Sequence, residues 1–252
     1  MLENMKKSFP IITDDPWLKP FAPAIEGRHE DALKKMKELA GKGKLSDFAN
    51  AYNYYGLHRT DNGWTFREWA PNATDIYIVG PFNEWTECEP YRMKRLTDGN
   101  WEINLPERAM AHGDLFKLHV HWNGGWGERI PAYATRVVQD DTTKIFSAQV
   151  WSPEKPYEFK VHDFVPTVDP LLIYECHIGM AQNKEAVGSY EEFRTEVLPR
   201  IVKLGYNAIQ IMAIQEHPYY GSFGYHVSSF YAASSRFGTP EELKHLIDDA
   251  HA

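Results

Sequence analysis

The sequence predicts a multi-domain protein of mixed α and β structure. We expect a helical N-terminal segment over residues 1–55, an all-β sandwich over 56–160, and βα units over 161–252. In the middle segment, short runs of alternating polar and apolar residues are separated by Gly, Asn and Pro turns, which is typical of a sandwich. In the last segment, apolar runs alternate with amphipathic helical patterns, which indicates parallel strands joined by crossover helices.

The N-terminal segment divides into an arm and two helices. Residues 1 to about 25 contain several prolines without clear periodicity, so we expect an extended arm. From His29 to Leu39 the apolar residues follow helical spacing, and Gly41 is suited to end that helix. A second short helix is expected between Leu45 and Tyr54.

Five strands are predicted in the sandwich from alternation between turn residues. They are Trp64–Trp69, Asp75–Gly80, Trp101–Leu105, Phe116–Trp122 and Ala148–Trp151. Trp69 and Trp101 alternate with polar residues, so burial in the core competes with a ligand-stacking role for both.

The last segment reads strand, helix, strand, helix. The predicted elements are a strand over Leu171–Tyr174, a helix over Tyr190–Leu204 capped by Ser189, a strand over Asn207–Ile214, and a helix from Thr239 with Glu242 completing a capping box. Helical spacing continues to Ala252 without a terminating signal, and two βα units cannot close a barrel. We therefore expect the chain to be the N-terminal part of a longer enzyme.

Composition and charge exclude several functional classes. The net charge of −8 disfavours nucleic-acid binding, and no apolar run is long enough for a membrane span. Cys88 and Cys176 give no disulfide framework, and the N-terminus lacks a secretory signal, so a cytoplasmic location is expected. His119 and His121 have a spacing that zinc ligands can have, but no third or fourth ligand follows suitably, so no metal site is expected.

The segment Glu216–His226 is the main candidate for substrate binding. It follows a predicted buried strand, and loops at the carboxyl ends of parallel strands carry the chemistry of α/β enzymes. Its aromatic, small and hydrogen-bonding residues suit a polyhydroxylated ring better than a phosphate or a metal.

Several stretches resemble one known family, the 1,4-α-glucan (glycogen) branching enzymes of the α-amylase superfamily. In the βα segment the resemblance is carried by Ile173–Gly179, Val197–Ile201, Leu204–Asn207, Met212–His217, Ser222–His226 and Ser234–Leu243. In the sandwich, Phe66–Pro71 and Gly80–Trp85 resemble the carbohydrate-binding module that precedes the barrel in branching and debranching enzymes.

The resemblance implies an immunoglobulin-like sandwich followed by the first two βα units of an incomplete (β/α)8 TIM barrel. It implies retaining transfer of an α-1,4-linked glucan to an α-1,6 position in glycogen biosynthesis, without metal or organic cofactor. The family's three catalytic carboxylates come from later strands, so we expect the rest of the barrel beyond Ala252 and no activity from this chain alone. A debranching hydrolase and a non-catalytic glucan-binding module remain alternatives.

The resemblance also assigns roles in the segment after the second strand. It implies that the ring of Tyr225 stacks on the glucose unit at the cleavage point; packing on the barrel rim is the alternative. His226 is expected either to bind sugar hydroxyls or to brace the loop, and Tyr220 is a further candidate for substrate contact.

In the sandwich, the candidate glucan contacts are Trp85, Lys117 and Trp126, which related modules combine in a shallow site. Trp85 could instead fill a domain interface, because a tryptophan on a sandwich loop can do either.

Two pairs of polar residues suggest catalysis by position alone. Glu216 and His217 lie where a barrel enzyme could place an acid, but a retaining glycosidase needs two carboxyls about 5 Å apart. We interpret both residues as loop organisers. Glu175 and His177 alternate on the first predicted strand, and a structural pair is the favoured interpretation.

Overall fold

In the computed structural model, which describes residues 9–166, 170–212 and 214–252, the chain divides between Asn53 and Tyr54 into two units. None of the described helices is long and apolar enough to cross a membrane.

The first unit is helical in its described part. Its helices are α1 (Pro10–Asp14), α2 (Ala22–Ala40) and α3 (Leu45–Phe48), with 3₁₀ turns over Pro16–Phe21 and Ala51–Asn53. The extended arm expected before residue 25 is therefore wrong for residues 10–25, and residues 1–8 lie outside the described part. Proline fits the first turn of a helix because its missing N–H would have no partner there, and Asp15 accepts a bond from the Trp17 N–H at 2.9 Å.

The end of α2 confirms the predicted cap. Gly41 has φ +56°, and its N–H donates to the Lys37 carbonyl at 2.9 Å. The helix begins seven residues before the predicted His29, at Ala22.

The sandwich consists of two antiparallel sheets. One has the order β1 (Gly56–Thr60), β2 (Gly63–Trp69), β5 (Asn100–Leu105), β4 (Lys94–Arg95). The other has the order β3 (Asp75–Val79), β6 (Leu115–Trp122), β9 (Phe146–Gln149), β8 (Val137–Gln139), with β7 (Gly125–Arg129) paired to β6. All five predicted strands are present.

The inward side chains of both sheets form one core. Phe66 of β2 contacts Phe116 of β6 edge to face, with ring centroids 6.1 Å apart, and Ile76 and Ile78 are fully buried beside them. Of the two tryptophans for which burial was an alternative, Trp101 is buried in this core and Trp69 is not. Its side chain is half exposed at the end of β2, and its indole N–H donates to the Asp98 carbonyl at 3.0 Å.

The βα segment starts with β10 (Ile173–Cys176), which pairs in parallel with β11 (Ala208–Ile211). The connection contains α4 (Tyr190–Glu192), a π-helical turn (Phe193–Val197) and α5 (Leu198–Lys203). Ser189 Oγ caps this helix by accepting from the Glu192 N–H at 3.1 Å, as the sequence predicted. The parallel crossover is confirmed, while two parallel strands alone do not establish a barrel.

Beyond β11 the chain forms a feature that the sequence did not predict. Strand β11 ends at Ile211 rather than Ile214, and Ala213 is outside the described residues. An antiparallel ribbon of β12 (Gln215–Glu216) and β13 (Ser229–Ala233) follows, and then α6 (Pro240–His251). The predicted capping box is present, because the Glu242 N–H donates to Thr239 Oγ1 at 3.2 Å.

Candidate functional site

The outward face of the β6–β7 hairpin collects the polar and aromatic candidates of the sandwich. A two-residue Asn123-Gly124 turn, with Gly124 at φ +96°, joins the strands, as such hairpins require. Successive side chains of a strand point to opposite faces, so the partners of the core residues in β6 face outward. These outward residues are Lys117, His119 and His121, and the hairpin register sets Glu128 opposite His119 and Trp126 opposite His121.

A network of hydrogen bonds fixes this face. The buried Lys117 donates from Nζ to Glu128 Oε2 at 2.5 Å. His119 Nδ1 and His121 Nε2 lie 3.0 and 2.8 Å from the same oxygen, Glu87 Oε1. The hydrogen bond from Lys117 holds the pKa of the Glu128 carboxyl below its ordinary value of 4.5, so this carboxylate is ionised and only accepts at neutral pH.

Trp126 provides an exposed aromatic ring beside this network. Its side chain is 56% exposed, and its ring centroid lies 4.9 Å from that of His119. His121 stacks on it at 6.1 Å with an interplanar angle of 25°. The structure therefore brings Lys117 and Trp126 to one face of the sheet.

Trp85 lies on the loop that leaves the sheet next to Lys117. Val79, the last residue of β3, pairs with Lys117, and Gly80 follows it. The N–H of Trp85 donates back to the Gly80 carbonyl at 2.8 Å. Glu84 and Trp85 both have left-handed backbones, with φ of +54° and +57°, an uncommon conformation outside glycine. The loop thus holds a partly exposed indole at this edge of the face.

The two histidines of β6 are accounted for by their shared carboxylate. Within residues 9–166, 170–212 and 214–252, no group of three or more His, Cys, Asp or Glu side chains is arranged to hold a metal ion. Glu87 carried no signal in the sequence, because it lies on an irregular loop. Glu128 could have been found by pairing outward residues across the Asn123-Gly124 hairpin.

The three candidate residues on the segment after β12 differ in their exposure. Tyr220 starts a 3₁₀ turn and is half buried, with its ring edge-on to that of His177 at 5.9 Å. Tyr225 is 70% exposed, and its N–H is held by the Ser222 carbonyl at 3.0 Å. His226 is also exposed. Tyr225 and His226 are thus accessible, whereas Tyr220 packs inward.

Glu216 organises this segment, as interpreted from the sequence. The side chain is fully buried, and Oε2 accepts from the Ser235 N–H at 2.7 Å. Oε1 accepts from the N–H of His217 at 3.1 Å and from Ser234 Oγ at 3.4 Å. The carboxylate therefore ties β12 to the chain just after β13.

The predicted pairing of Glu175 with His177 is wrong. The two side chains make no hydrogen bond to each other in the described part of the chain. Glu175 is exposed and contacts Gln210 Nε2 at 3.4 Å. His177 is buried, and neither ring nitrogen has a hydrogen-bond partner in the described part of the chain.

Comparisons with known proteins identify a matching family profile and similar enzymes. Residues 54–134 match the family profile of carbohydrate-binding module 48, the isoamylase N-terminal domain. The chain is 45% identical over 251 residues to the 1,4-alpha-glucan-branching enzyme of Yarrowia lipolytica, and 41% identical over 248 residues to that of Dictyostelium discoideum. This chain is homologous to the 1,4-alpha-glucan-branching enzymes. The resemblance inferred from the motifs is thereby confirmed.

The matches cover most of this chain but a much smaller share of each branching enzyme. Each alignment covers 96% of this chain and 36% of the branching enzyme, so the chain spans about a third of the length of these relatives. The solved structure of pullulanase type I from Bacillus subtilis, complexed with maltose, aligns with a TM-score of 0.61 at 20% identity. That alignment covers 78% of this chain and 31% of the pullulanase, and it shows a shared fold. Trp85, Lys117 and Trp126 all lie within the module-48 match.

Proposed function

We propose that this chain provides glucan binding and one wall of the substrate site in a 1,4-α-glucan branching enzyme. Such an enzyme cleaves an α-1,4 link and transfers the cut chain to a 6-hydroxyl. The observation that carries the binding part is the joint presence of Trp126 and Lys117 on one face of a sandwich that matches carbohydrate-binding module 48, with the partly exposed Trp85 on the loop after the neighbouring strand. The proposed partner is an α-glucan such as glycogen.

The chemistry of this face suits a neutral sugar polymer. An exposed indole presents a flat apolar surface to the C–H groups of a glucose ring, and the Lys117 ammonium has donors beyond the one that Glu128 accepts. The opposing charges of Lys117 and Glu128 neutralise one another, which suits a ligand without charge.

The second surface is the segment that carries Tyr225 and His226. We assign Tyr225 to stacking on the glucose unit at the cleavage point, since this residue is exposed on the segment that follows the second parallel strand. Glu216 is fully committed to structural hydrogen bonds, so it is not assigned to acid–base chemistry. We assign the catalytic carboxylates to the remainder of a (β/α)8 barrel outside this chain, and we place the enzyme in the cytoplasm.

Co-sedimentation with glycogen tests the binding proposal. Trp126→Ala should weaken retention about tenfold, or about 1.4 kcal/mol, because the stacking surface is removed. Trp122→Ala is the matched control, since Trp122 is an exposed tryptophan of the same hairpin that packs over Gly125 and Gly127 on the other face. Equal retention of both variants, or no retention of the wild type, would contradict the proposal.

A debranching hydrolase is the second candidate for the whole enzyme. The similarity to a pullulanase structure favours it at the level of fold. The identity of 41–45% to branching enzymes favours the first proposal. By either proposal, this chain alone should leave the iodine absorbance of amylose unchanged, because we assign the catalytic carboxylates to residues outside it. A decrease in absorbance would contradict the assignment of catalysis to residues outside the chain.

A further inference from the structure

The imidazole of His177 is enclosed by aromatic rings. Its side chain is buried, and neither Nδ1 nor Nε2 has a hydrogen-bond partner in the described part of the chain. The rings of Phe237, Tyr220 and Phe223 lie edge-on to it, with centroids 5.4, 5.9 and 6.4 Å away. Protonation of the imidazole in this place would add a buried charge and a second N–H donor without an acceptor, and both are costly.

The ionisable groups around His177 do not offset that cost. On the elements that pack against it, the described titratable and charged residues are Glu175, Cys176, Glu216, His217, Tyr220 and Arg236. Glu175 is exposed and contacts Gln210, and both oxygens of Glu216 accept from other groups. Burial and, after it, the neighbouring His217 lower the pKa of His177 from its ordinary value of 6.5. The imidazole is therefore neutral in the structure at neutral pH.

Two of the three enclosing rings belong to the segment that carries Tyr225. This segment is closed by local hydrogen bonds, from the Phe223 N–H to the Tyr220 carbonyl at 2.9 Å and from the Tyr225 N–H to the Ser222 carbonyl at 3.0 Å. Phe223 has a left-handed backbone with φ +54°, which a residue other than glycine keeps only where its surroundings hold it. Packing of Tyr220 and Phe223 on His177 is one of the contacts that attach this turn to the end of β10.

We propose that His177 is a pH-sensitive latch for the segment Tyr219–Tyr225. The neutral imidazole packs against Tyr220 and Phe223 and holds the segment in place. When solvent protonates one ring nitrogen, the equilibrium moves toward an open conformation, because water reaches the imidazolium only after these rings move away. The segment opens before the rest of the chain because Tyr219, Phe223 and Tyr225 are already exposed. The position of Tyr225 therefore depends on pH, whether or not a glucan binds there.

The population of the open conformation should rise as the pH falls. A hydrated imidazole in the open conformation has a pKa near 6.5, whereas burial lowers the pKa of the enclosed one. The stability that the neutral ring gives to the closed conformation is therefore complete above about pH 6.5 and is lost as the pH falls below it. For one such group, the open fraction should increase about five- to tenfold between pH 7.5 and pH 5.5.

Hydrogen–deuterium exchange of the whole chain, followed by mass spectrometry, tests the latch without any ligand. Each exchange rate is divided by the intrinsic rate at the same pH, because intrinsic exchange itself changes with pH. Protection of the peptide that covers Tyr219–Tyr225 should fall about five- to tenfold from pH 7.5 to pH 5.5, while that of β2 and β5 changes by less than about twofold. Constant protection of the segment, or an equal loss in the two sandwich strands, would overturn the inference.

Two variants assign the effect to His177. His177→Phe keeps an aromatic ring in the site and His177→Asn keeps a polar group, but neither side chain can be protonated. Each should hold the protection of the segment within about twofold across this pH range. His162→Phe is the matched control, since His162 is exposed, and it should lose protection like the wild type. A wild-type loss in either folded His177 variant assigns the effect to another group, such as His217, and overturns the latch.

A titration of the wild-type chain by nuclear magnetic resonance provides a second measurement that needs no variant at His177. The ring protons of His177 should report a lower pKa than those of the exposed His162. A pKa of His177 equal to or above that of His162 would overturn the latch. Because neither measurement contains a glucan, failure of the latch and failure of glycogen co-sedimentation are distinguishable.

Discussion

Replacing Glu216 with alanine should strongly lower the free energy of unfolding of the chain. We assign Glu216 a structural role and no direct role in chemistry. The side chain is fully buried and accepts from the Ser235 N–H at 2.7 Å, the His217 N–H at 3.1 Å and Ser234 Oγ at 3.4 Å. A hydrogen bond to a charged group contributes about 1.5–3 kcal/mol. The loss of the Ser235 contact alone therefore accounts for about 2 kcal/mol. The substitution also leaves the N–H groups of Ser235 and His217 without an acceptor and removes buried side-chain carbons. The expected loss in the free energy of unfolding is therefore about 2–4 kcal/mol.

The assay is urea unfolding followed by near-ultraviolet circular dichroism. Glu216→Gln should lower the free energy of unfolding by less, about 1–2 kcal/mol, because the glutamine amide oxygen can still accept from the Ser235 N–H. Glu185→Ala is the control, since Glu185 is exposed and should change the free energy of unfolding by under about 0.5 kcal/mol. A Glu216→Ala variant as stable as the control would refute the structural role of Glu216.

Two further predictions concern α6. Thr239→Ala should lower the free energy of unfolding by about 1 kcal/mol in urea melts, because it removes the side-chain cap on the Glu242 N–H; an unchanged midpoint would contradict the cap. Asp248 accepts from the Tyr157 hydroxyl at 2.6 Å and from two backbone N–H groups, and these bonds lower its pKa from 3.8 to about 2. A carboxyl with a lowered pKa in the folded state stabilises the fold above about pH 4 and loses that contribution as the pH falls toward 2. Asp248→Asn should therefore melt below the wild type at pH 6 and approach it near pH 2, and a constant difference across this range would contradict the assignment.

Elements with strong local signals were predictable from the sequence. The alternation over Phe116–Trp122 predicted the strand that the structure shows as β6. The capping boxes at Ser189 and Thr239 located two helix starts because the side chains that satisfy the first N–H groups are local in sequence.

The features that failed depend on context outside a short window. Prolines before residue 25 indicated an extended arm, yet proline fits the first turn of α1 and of the following 3₁₀ turn. The pairing of Glu175 with His177 was wrong because residues distant in sequence set their surroundings. Gln210 contacts Glu175, and the ring of Phe237 lies against that of His177. The short ribbon of β12 and β13 has too few residues for a periodic pattern.

The candidate site was predictable only in part, because its residue types are visible in the sequence whereas their grouping depends on strand pairing. Trp85, Lys117 and Trp126 could be singled out by type and by family resemblance, but the shared face of Lys117 and Trp126 follows from the pairing of β6 and β7. Glu87 reaches the two histidines from an irregular loop, 32 residues before His119, which no local pattern predicts.

A crystal structure of this chain with a linear maltooligosaccharide tests the central claim most directly. We predict a glucose ring against the face of Trp126, with a hydroxyl oxygen about 3 Å from Lys117 Nζ. Sugar bound elsewhere on the sandwich, with Trp126 and Lys117 free of ligand, would contradict the account.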